Sequence, residues 1–348
     1  MENRVKTILV IKLSSLGDII HTLPVAWALK DIYQDAHLTW MVNASYRGLL
    51  EICPAIHEVL FFERNKKNGI FRSLLSILRL IGKIRREKFD LVIDLQGLLR
   101  SGLIGWLSGG KKVLGLESAR EGSRWLYDIK VPVPKKKSIH AVDRYLLIPE
   151  YLGWTGSPRF QIKIQPDEDR FIDGFLKAEK ARTYLPLIGI HPVARWKTKV
   201  WSLNNFARLA DLISATEKFQ LVLLGSEEDQ KQIIQMIHMM KYSPVIATGK
   251  FNLKQLTAFL KRSSLLITTD SGPMHLAAAM ESPLLAIFGA TDQRKTGPYK
   301  MENDVIFKNI QCRPCLKRTC LNSGYPMECM ERITPEEVFE RFKKKFHL

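Results

Sequence analysis

Two series of short apolar segments alternate with helix-forming segments along the 348-residue chain, and this alternation constrains the fold more than any other feature. The first series opens with the β-branched run KTILVIKL at 6–13, the loop SSLGD at 14–18 and a helix over 19–31. The second series begins after a polar, proline-marked stretch at 157–169. Strand–helix alternation in two halves predicts an α/β protein of two doubly wound, Rossmann-like domains that face each other across a cleft.

The predicted elements set the domain boundaries. Strands are expected at 6–13, 37–42, 58–62, 89–94 and 112–116, and then at 187–191, 220–225, 244–247, 265–269 and 283–288. Further helices are expected over 70–88, 203–216, 227–240, 252–262 and 273–281. We assign residues 1–165 to the first domain and 166–334 to the second. The remaining residues, 335–348, form a C-terminal helix that either packs back on the first domain or pairs with another chain.

The chain is strongly basic, with 53 Lys and Arg against 35 Asp and Glu and a formal net charge of +18. Such an excess indicates an anionic partner, which is a nucleic acid, a membrane surface or a phosphorylated substrate. No apolar run approaches the roughly 18 residues of a membrane span, and the apolar stretch near the amino terminus is too short for a signal-peptide core. We therefore expect a cytoplasmic protein.

The loop Ser14–Asp18 follows the first predicted strand. Gly17 permits a close approach of the backbone, and Asp18 lies where a helix begins and amide groups point outward. Asp18 or Ser15 can simply cap this helix. The alternative is that Asp18 is a general base, kept ionised because a helix amino terminus lowers the pKa of a carboxyl group.

A second loop, at 269–275, joins a predicted strand to a predicted helix. Pro273 suits the first helical turn, and Ser271 suits the cap position. Free amides and the helix dipole make such a helix start a binding site for anions, and His275 on the first turn lies within reach of a bound phosphate. The alternative is an ordinary strand-to-helix turn with a buried histidine.

Two further loops follow strands of the second series. The loop 191–201 contains Arg195, Lys199 and two Trp residues, which suit the binding of a diphosphate or stacking on a base. Lys199 is the candidate for neutralising a leaving group. In the next loop, at 225–229, an acid a few residues beyond the strand end can accept hydrogen bonds from ribose hydroxyls. A solvated basic loop and a set of first-turn acids are the alternative interpretations.

Other motifs argue against further classes of protein. No P-loop and no dinucleotide-binding fingerprint is present, so the sequence gives no support to a P-loop NTPase or a dehydrogenase. The acids at 167–169 have the Asp-x-Asp spacing of some metal-dependent transferases, but Pro166 before them favours a charged helix start.

Four of the five cysteines lie in the segment 312–329, at Cys312, Cys315, Cys320 and Cys329. Four such thiols can hold a structural zinc ion, and reduced thiols or disulfides are the alternatives. We expect this segment to lie away from the chemistry.

Together these motifs resemble the heptosyltransferases, the ADP-heptose glycosyltransferases of family 9 that build the inner core of lipopolysaccharide. The similarity extends over nearly the whole chain and rests on SSLGDIIHTLP at 14–24, DLQGL at 94–98, KVW at 199–201 and DSGPMH at 270–275. The first two motifs are more similar to heptosyltransferase I, which acts on Kdo-lipid A, than to heptosyltransferase II.

The resemblance implies a GT-B fold, with the acceptor bound by the first domain and ADP-heptose by the second, and inversion at the anomeric carbon without a metal or other cofactor. It implies that Asp18 is the catalytic base on the acceptor hydroxyl. The implied donor-binding residues are Arg195, Lys199, Glu227, Asp270, Ser271, Gly272, Pro273 and His275. The implied acceptor-binding residues are Ser15, Gly17, Arg64, Gln96, Arg120 and His140. The hydroxyl-bearing residues that the family has before the lysine fall here on Ala194 and Arg195, and Arg195 can bind phosphate directly.

A lipid A acceptor, with its phosphates and Kdo carboxylates, accounts for the basic first half, where 26 Lys and Arg stand against 15 Asp and Glu in residues 1–165. We therefore expect peripheral association with an anionic membrane surface at the inner face of the inner membrane, with the 70–88 helix on the bilayer. One alternative is heptosyltransferase II, which uses an already heptosylated acceptor. From a different class, a basic RNA-binding protein would explain the charge, but the sequence lacks the RRM and KH signatures.

Overall fold

The computed structural model describes residues 5–62, 79–134 and 138–348. The chain divides into two compact units, Met1–Lys163 and Ile164–Leu348. Each unit contains one six-stranded sheet in which every strand pair is parallel. The expected pair of doubly wound α/β domains is therefore confirmed.

The first unit contains, in chain order, β1 (Thr7–Ile11), α1 (Leu16–Ile32), β2 (His37–Asn43), α2 (Arg47–Glu51), β3 (Glu58–Phe62), α3 (79–87), β4 (Leu91–Asp94), α4 (Leu99–Leu107), β5 (Lys112–Leu116), β6 (Ile129–Val131) and α5 (Ala141–Tyr151). A 3₁₀ helix at Ser123–Leu126 precedes β6.

The second unit contains α6 (Pro166–Ala178), β7 (Leu187–His191), α7 (Leu203–Ser214), β8 (Gln220–Leu223), α8 (Gln230–Ile237), β9 (Val245–Ile246), α9 (Leu253–Arg262), β10 (Leu265–Thr269), α10 (Gly272–Ala279), β11 (Leu284–Phe288), α11 (Gln293–Thr296), β12 (Val305–Phe307), α12 (Glu328–Glu331) and α13 (Pro335–Phe346). Short 3₁₀ turns cover Lys197–Lys199 and Glu227–Asp229.

Both sheets have the same strand order. The first sheet is arranged β3-β2-β1-β4-β5-β6 and the second β9-β8-β7-β10-β11-β12. The order reverses beside the first strand of each sheet, between β1 and β4 and between β7 and β10. Ligands of doubly wound sheets bind at this switch point, outside the carboxyl ends of the strands.

The strands beside the switch points are buried on both faces. In β1, Ile8, Leu9, Val10 and Ile11 are at most 1% exposed. A parallel sheet covered by helices on both sides needs such continuous apolar runs, which explains why these strands are evident in the sequence. The core therefore holds the carboxyl ends of these strands in fixed positions.

Several short elements were not predicted from the sequence. The edge strands β6 and β12 have three residues each, too few for a periodic pattern. Helix α4 contains Gly102 and Gly105, which lower its intrinsic helix propensity. Packing explains Gly102, because a Cβ atom there would lie 2.8 Å from the Cβ of Ser123.

The C-terminal helix α13 packs within the second unit. Val338 and Phe342 are fully buried, and the ring of Phe342 lies 4.9 Å from that of Phe219. Lys308 pairs with Glu337 at 2.6 Å. The apolar face of α13 is thus part of the core of the second unit. Among the helices of the described ranges, none combines the length and the apolarity needed to cross a membrane.

Candidate functional site

The first candidate site lies at the carboxyl end of β1. Ser15 is the N-cap of α1, and Asp18 is in the first turn of this helix. Oδ2 of Asp18 accepts hydrogen bonds from the backbone N of Ser15 (3.0 Å) and from its Oγ (2.8 Å). The helix start thus carries its own fixed carboxylate, and Gly17 lies in the same turn.

Charges around Asp18 keep its carboxyl group ionised. Burial raises the pKa of Asp18, but the Lys12 ammonium group, the hydrogen bonds from Ser15 and the nearby His21 together lower it below its ordinary value. Lys12 itself is 2% exposed and donates from Nζ to the hydroxyl of Tyr145 (2.9 Å) and to the carbonyl of Leu95 (3.3 Å). An ionised carboxylate can accept a proton at neutral pH.

Sequence reasoning did not identify Lys12. The sequence did contain an indication of its role, since Lys12 lies in the apolar run ILVIKL of a predicted strand. Lysine is almost never fully buried unless its charge is paired. Its partner Tyr145 lies on α5, 133 residues further along the chain, and no pattern in the sequence indicates that contact.

Gln96 fixes the loop before Asp18. Its Oε1 atom accepts hydrogen bonds from the backbone N of Leu13 (3.0 Å) and of Ser14 (3.1 Å). Gln96 follows β4, the neighbour of β1, so the contact spans the switch point of the first sheet. The side-chain oxygen of this predicted acceptor-binding residue is therefore occupied by the backbone of the Ser14–Asp18 loop.

Asp94 in turn fixes the loop that carries Gln96. The buried carboxylate accepts hydrogen bonds from the backbone N of Gln96 (2.9 Å) and Gly97 (3.0 Å), from Ser101 Oγ (2.9 Å) and from the Tyr127 hydroxyl (2.7 Å). Burial raises the pKa of Asp94, and these hydrogen bonds oppose the rise. The D-x-Q-G segment is thus a support for the first strand–helix loop.

The other predicted acceptor-binding residues lie further from Asp18 than Ser15 and Gly17 do, or outside the described residues. His140 is the N-cap of α5, and its ring lies 5.3 Å from that of His21, one turn beyond Asp18. Arg120 is exposed, and its backbone N donates to the carbonyl of Gly97 (2.8 Å). Arg64 and residues 70–78 of the predicted 70–88 helix lie outside the described residues.

The second candidate site lies at the carboxyl ends of β7 and β10. Asp270 is 3% exposed, and its Oδ2 atom lies 2.7 Å from Lys199 Nζ and accepts a hydrogen bond of 2.6 Å from Thr291 Oγ1. His275 Nε2 lies 3.9 Å from Oδ1 of the same carboxylate. Lys199, Asp270 and His275 were predicted from the sequence and are brought together, whereas Thr291, which follows β11, was missed.

The start of α10 lies beside this ion pair. Ser271 is its N-cap, and Gly272 and Pro273 open the first turn. The Ser271 hydroxyl lies 3.0 Å from Thr268 Oγ1 and 3.4 Å from His191 Nδ1. Because the first amides of a helix have no intrahelical partners, this end of α10 suits an anion.

His191 lies at the end of β7 as an uncharged imidazole. Burial lowers its pKa to about 4, which the charge of Asp229 opposes. At neutral pH a buried, neutral ring therefore accompanies the hydroxyls of Thr268 and Ser271. Sequence reasoning placed His191 in the basic loop but gave it no role.

Arg195 and Glu227 are exposed at the same end of the second sheet. Arg195 lies in the loop between β7 and the 3₁₀ turn that carries Lys199, and Glu227 begins the turn after β8. Neither side chain is fixed as Lys199 is.

The cysteine-rich segment 312–329 contacts this second site, so the expectation that it lies away from the chemistry is wrong. Thr198, next to Lys199, donates from Oγ1 to the carbonyl of Lys317 (2.6 Å). The Arg318 guanidinium group lies 5.1 Å from the centre of the Trp196 ring, and Lys199 Nζ lies 4.9 Å from it. The segment therefore supports the loop that carries Lys199.

All five cysteines are free thiols. Burial and the neighbouring Cys312, Cys315 and Cys320 raise the pKa of Cys329 to about 11, so this thiol is protonated at neutral pH. Within the described ranges no group of three or more His, Cys, Asp or Glu side chains is arranged to hold a metal ion. Structural zinc stays a prediction.

The sequence of this chain is similar to those of known proteins of one family. The sequence profile of glycosyltransferase family 9 (heptosyltransferase) matches residues 77–326. The chain is 26% identical to the lipopolysaccharide core heptosyltransferase OpsX of Haemophilus influenzae over 306 residues, which covers 86% of this chain and 84% of the relative. Other curated relatives are named heptosyltransferase 1, 2 and 3.

Solved structures show the same fold. A family 9 glycosyl transferase from Veillonella parvula superposes with a TM-score of 0.84 at 25% identity, covering 99% of this chain and 98% of the other. The Escherichia coli heptosyltransferase WaaC with ADP-2-deoxy-2-fluoro heptose superposes with a TM-score of 0.73 at 20% identity, covering 97% and 99%. The expected GT-B fold is thereby confirmed, and the chain belongs to glycosyltransferase family 9, the heptosyltransferases.

Proposed function

We propose that this chain transfers heptose from ADP-heptose to a Kdo-bearing lipid A acceptor, with inversion at the anomeric carbon and without a metal ion. The observation that carries the proposal is the Lys199–Asp270 ion pair beside the start of α10, at the switch point of the second sheet. A fixed cation next to a helix amino terminus is an arrangement suited to a diphosphate.

The second unit binds the donor. Lys199 keeps two of its three N–H donors for the diphosphate, since one faces Asp270, and the first-turn amides of α10 supply further donors. Asp270 acts as a positioning residue, because it holds the ammonium group in place together with Thr291. Arg195 and Glu227 close on the diphosphate and the ribose. The solved structure of the relative WaaC with ADP-2-deoxy-2-fluoro heptose supports this choice of donor.

The first unit binds the acceptor. Asp18 accepts the proton of the acceptor hydroxyl as its oxygen forms a bond to the anomeric carbon, while the bond from that carbon to the diphosphate oxygen breaks. The electron pair leaves with ADP, whose charge Lys199 and the start of α10 stabilise. A single displacement of this kind inverts the anomeric carbon.

The proposed acceptor is a lipid that carries phosphate and carboxylate groups. The excess of Lys and Arg in the first unit fits an acceptor that carries phosphates and carboxylates, and a lipid acceptor places the protein at an anionic membrane surface. Relatives are named heptosyltransferase 1, 2 and 3, and an already heptosylated acceptor is the second candidate.

The test is the release of ADP from ADP-heptose in the presence of EDTA, with Kdo-lipid A as acceptor. Asp18→Asn is expected to lower kcat by about 10²–10⁴-fold, and Lys199→Gln by about 10²–10³-fold. Turnover that requires an added divalent cation would contradict the metal-independent mechanism.

Two matched control variants test whether the losses are specific to Lys199 and Asp18 or follow from removing any nearby charge. Lys197→Gln removes an exposed cation from the same 3₁₀ turn as Lys199, and Asp167→Asn removes another first-turn acid, on α6. Both should retain wild-type turnover. Release only with a heptosylated acceptor would reassign the acceptor, and no release with either acceptor from a folded protein would overturn the donor.

A further inference from the structure

Helix α4 carries an exposed apolar stripe. Leu99, Leu103 and Trp106 are 43%, 38% and 59% exposed. Their spacing of four and three residues places them on one face of the helix. Single exposed apolar residues are ordinary, but a row of three large ones along one helix face marks a contact surface.

A second exposed tryptophan lies on the element beside this stripe. The 3₁₀ helix Ser123–Leu126 packs against α4 at Gly102, where a Cβ atom would lie 2.8 Å from Ser123 Cβ and 3.2 Å from Leu126 Cδ1. Its Trp125 is 70% exposed. We call Leu99, Leu103, Trp106 and Trp125 the α4 surface.

Cations flank the α4 surface. The Arg124 guanidinium group lies 4.7 Å from the centre of the Trp125 ring, and Lys130 Nζ lies 4.9 Å from it. Both side chains are exposed, as is Arg100 on α4 itself. Tryptophan beside arginine and lysine is a combination suited to the boundary between lipid headgroups and acyl chains.

The carboxylates of the same stretch are directed to backbone amides. Glu121 accepts from the N of Leu99 (3.3 Å), and Asp128 accepts from the N of Val113 (2.8 Å). Glu117 accepts from the N of Val133 (3.1 Å). These carboxylates are held at the backbone, whereas Arg124 and Lys130 are exposed beside the Trp125 ring, where an external anion can reach them.

The α4 surface begins at the edge of the first candidate site. Leu99 follows the loop in which Gln96 holds Ser14, and the backbone N of Arg120 donates to the carbonyl of Gly97 in that loop (2.8 Å). From Leu99 to Trp106 the stripe extends about 10 Å along the helix, at ~1.5 Å per residue. A lipid acceptor bound near Asp18 therefore has an apolar, basic surface beside it.

We propose that the α4 surface docks this chain on an anionic lipid bilayer. The two indole rings and the leucines enter the headgroup boundary, and Arg124 and Lys130 bind lipid phosphates. The choice of a membrane over other partners rests on the proposed lipid acceptor, whereas the binding itself requires no turnover.

Flotation of the full chain with vesicles tests the docking. We expect binding to phosphatidylcholine vesicles that contain phosphatidylglycerol and little binding to phosphatidylcholine alone. Trp106→Ser with Trp125→Ser should weaken the apparent affinity by at least about tenfold. Arg124→Gln with Lys130→Gln should weaken it by roughly 25-fold, since each cation near an anionic surface contributes about fivefold.

Tyr184→Ser is the matched control, because Tyr184 is an equally prominent ring, 80% exposed, in the second unit. Equal loss in this control, wild-type flotation of the double tryptophan variant, or no flotation of the wild type would each overturn the proposal. So would a wild-type dimer that the tryptophan substitutions dissociate, in the absence of vesicle binding. Unchanged thermal unfolding shows that the variants are folded.

A kinetic comparison separates this proposal from the proposed function. The double tryptophan variant should keep wild-type turnover on a water-soluble Kdo acceptor without acyl chains and lose it on the acceptor in vesicles. Equal turnover on both acceptors would overturn the docking and leave the transferase activity standing. Vesicle binding without turnover on either acceptor would overturn the transferase activity and leave the docking standing.

Discussion

Helices α1 and α10 each start beside the switch point of their own sheet, α1 after the first strand β1 and α10 after β10, the neighbour of the first strand β7, yet the acids at the two helix starts are held differently. At the start of α1, Asp18 is bound to the N-cap residue, because its carboxylate accepts hydrogen bonds from the backbone N and the hydroxyl of Ser15. At the start of α10, the acid Asp270 is held by Lys199 and Thr291. The amides of α10 thus remain available to a ligand.

Under the proposed function, this difference lets one fold serve two chemical tasks. A helix amino terminus favours negative charge. In α1 the chain supplies that charge, and an ionised carboxylate results that can take a proton. At α10 the chain's own acid, Asp270, is paired with Lys199 and accepts from Thr291, so an anionic ligand can supply the negative charge that the first-turn amides favour. The second unit therefore suits a diphosphate, and the first suits a hydroxyl group.

The largest effect is expected at His191, on the pH dependence of the free energy of unfolding. Its folded pKa of about 4 lies below the value of 6.5 for an unfolded histidine, so the unfolded chain binds the proton first as the pH falls. Stability is therefore complete above about pH 6.5 and is lost between pH 6.5 and 4, by up to about 3 kcal/mol. His191→Asn should remove this pH dependence in urea unfolding curves.

His347→Asn is the control for that measurement, because His347 is exposed near the C-terminus and Asn accepts its left-handed backbone. It should leave the pH dependence as in the wild type. An unchanged slope in His191→Asn would show that the start of α10 does not depend on a neutral imidazole.

A smaller effect is expected at Gln96. Gln96→Leu leaves the amides of Leu13 and Ser14 without their acceptor, at a cost of about 1–3 kcal/mol. Misplacement of the Ser14–Asp18 loop should lower kcat by up to ~100-fold, with ADP affinity unchanged. Gln96→Glu keeps the acceptor atom and should restore most of the activity. Loss of ADP affinity in Gln96→Leu would show that the two sites are not separate in function.

Much of the fold could be predicted from the sequence, since the buried strands of a parallel sheet are continuous apolar runs. The strands Glu58–Phe62, Lys112–Leu116, Leu187–His191 and Leu265–Thr269 lie where they were predicted. Helix α4 was missed because Gly102 serves a contact with a 3₁₀ helix some 20 residues away and Gly105 lies against Val92 and Val113 of the sheet, and helix propensity alone does not reveal such contacts.

The sites divide in the same way. Asp18, Lys199 and Asp270 follow strands in recognisable motifs, so the sequence indicates them directly. Lys12 and Thr291 act through partners distant in the chain, Tyr145 for Lys12 and Asp270 for Thr291, and Asp94 accepts from the distant Tyr127 besides its local donors. Those contacts depend on strand order, which local patterns do not specify.

Binding of ADP, measured by calorimetry on the full chain, tests the central claim most directly. The claim assigns the anion to the second unit and the proton transfer to the first. Lys199→Gln should weaken ADP binding by at least about tenfold, whereas Lys197→Gln and Asp18→Asn should bind ADP as the wild type does. Wild-type affinity in Lys199→Gln, or a loss in Asp18→Asn as large as that expected for Lys199→Gln, would contradict this assignment.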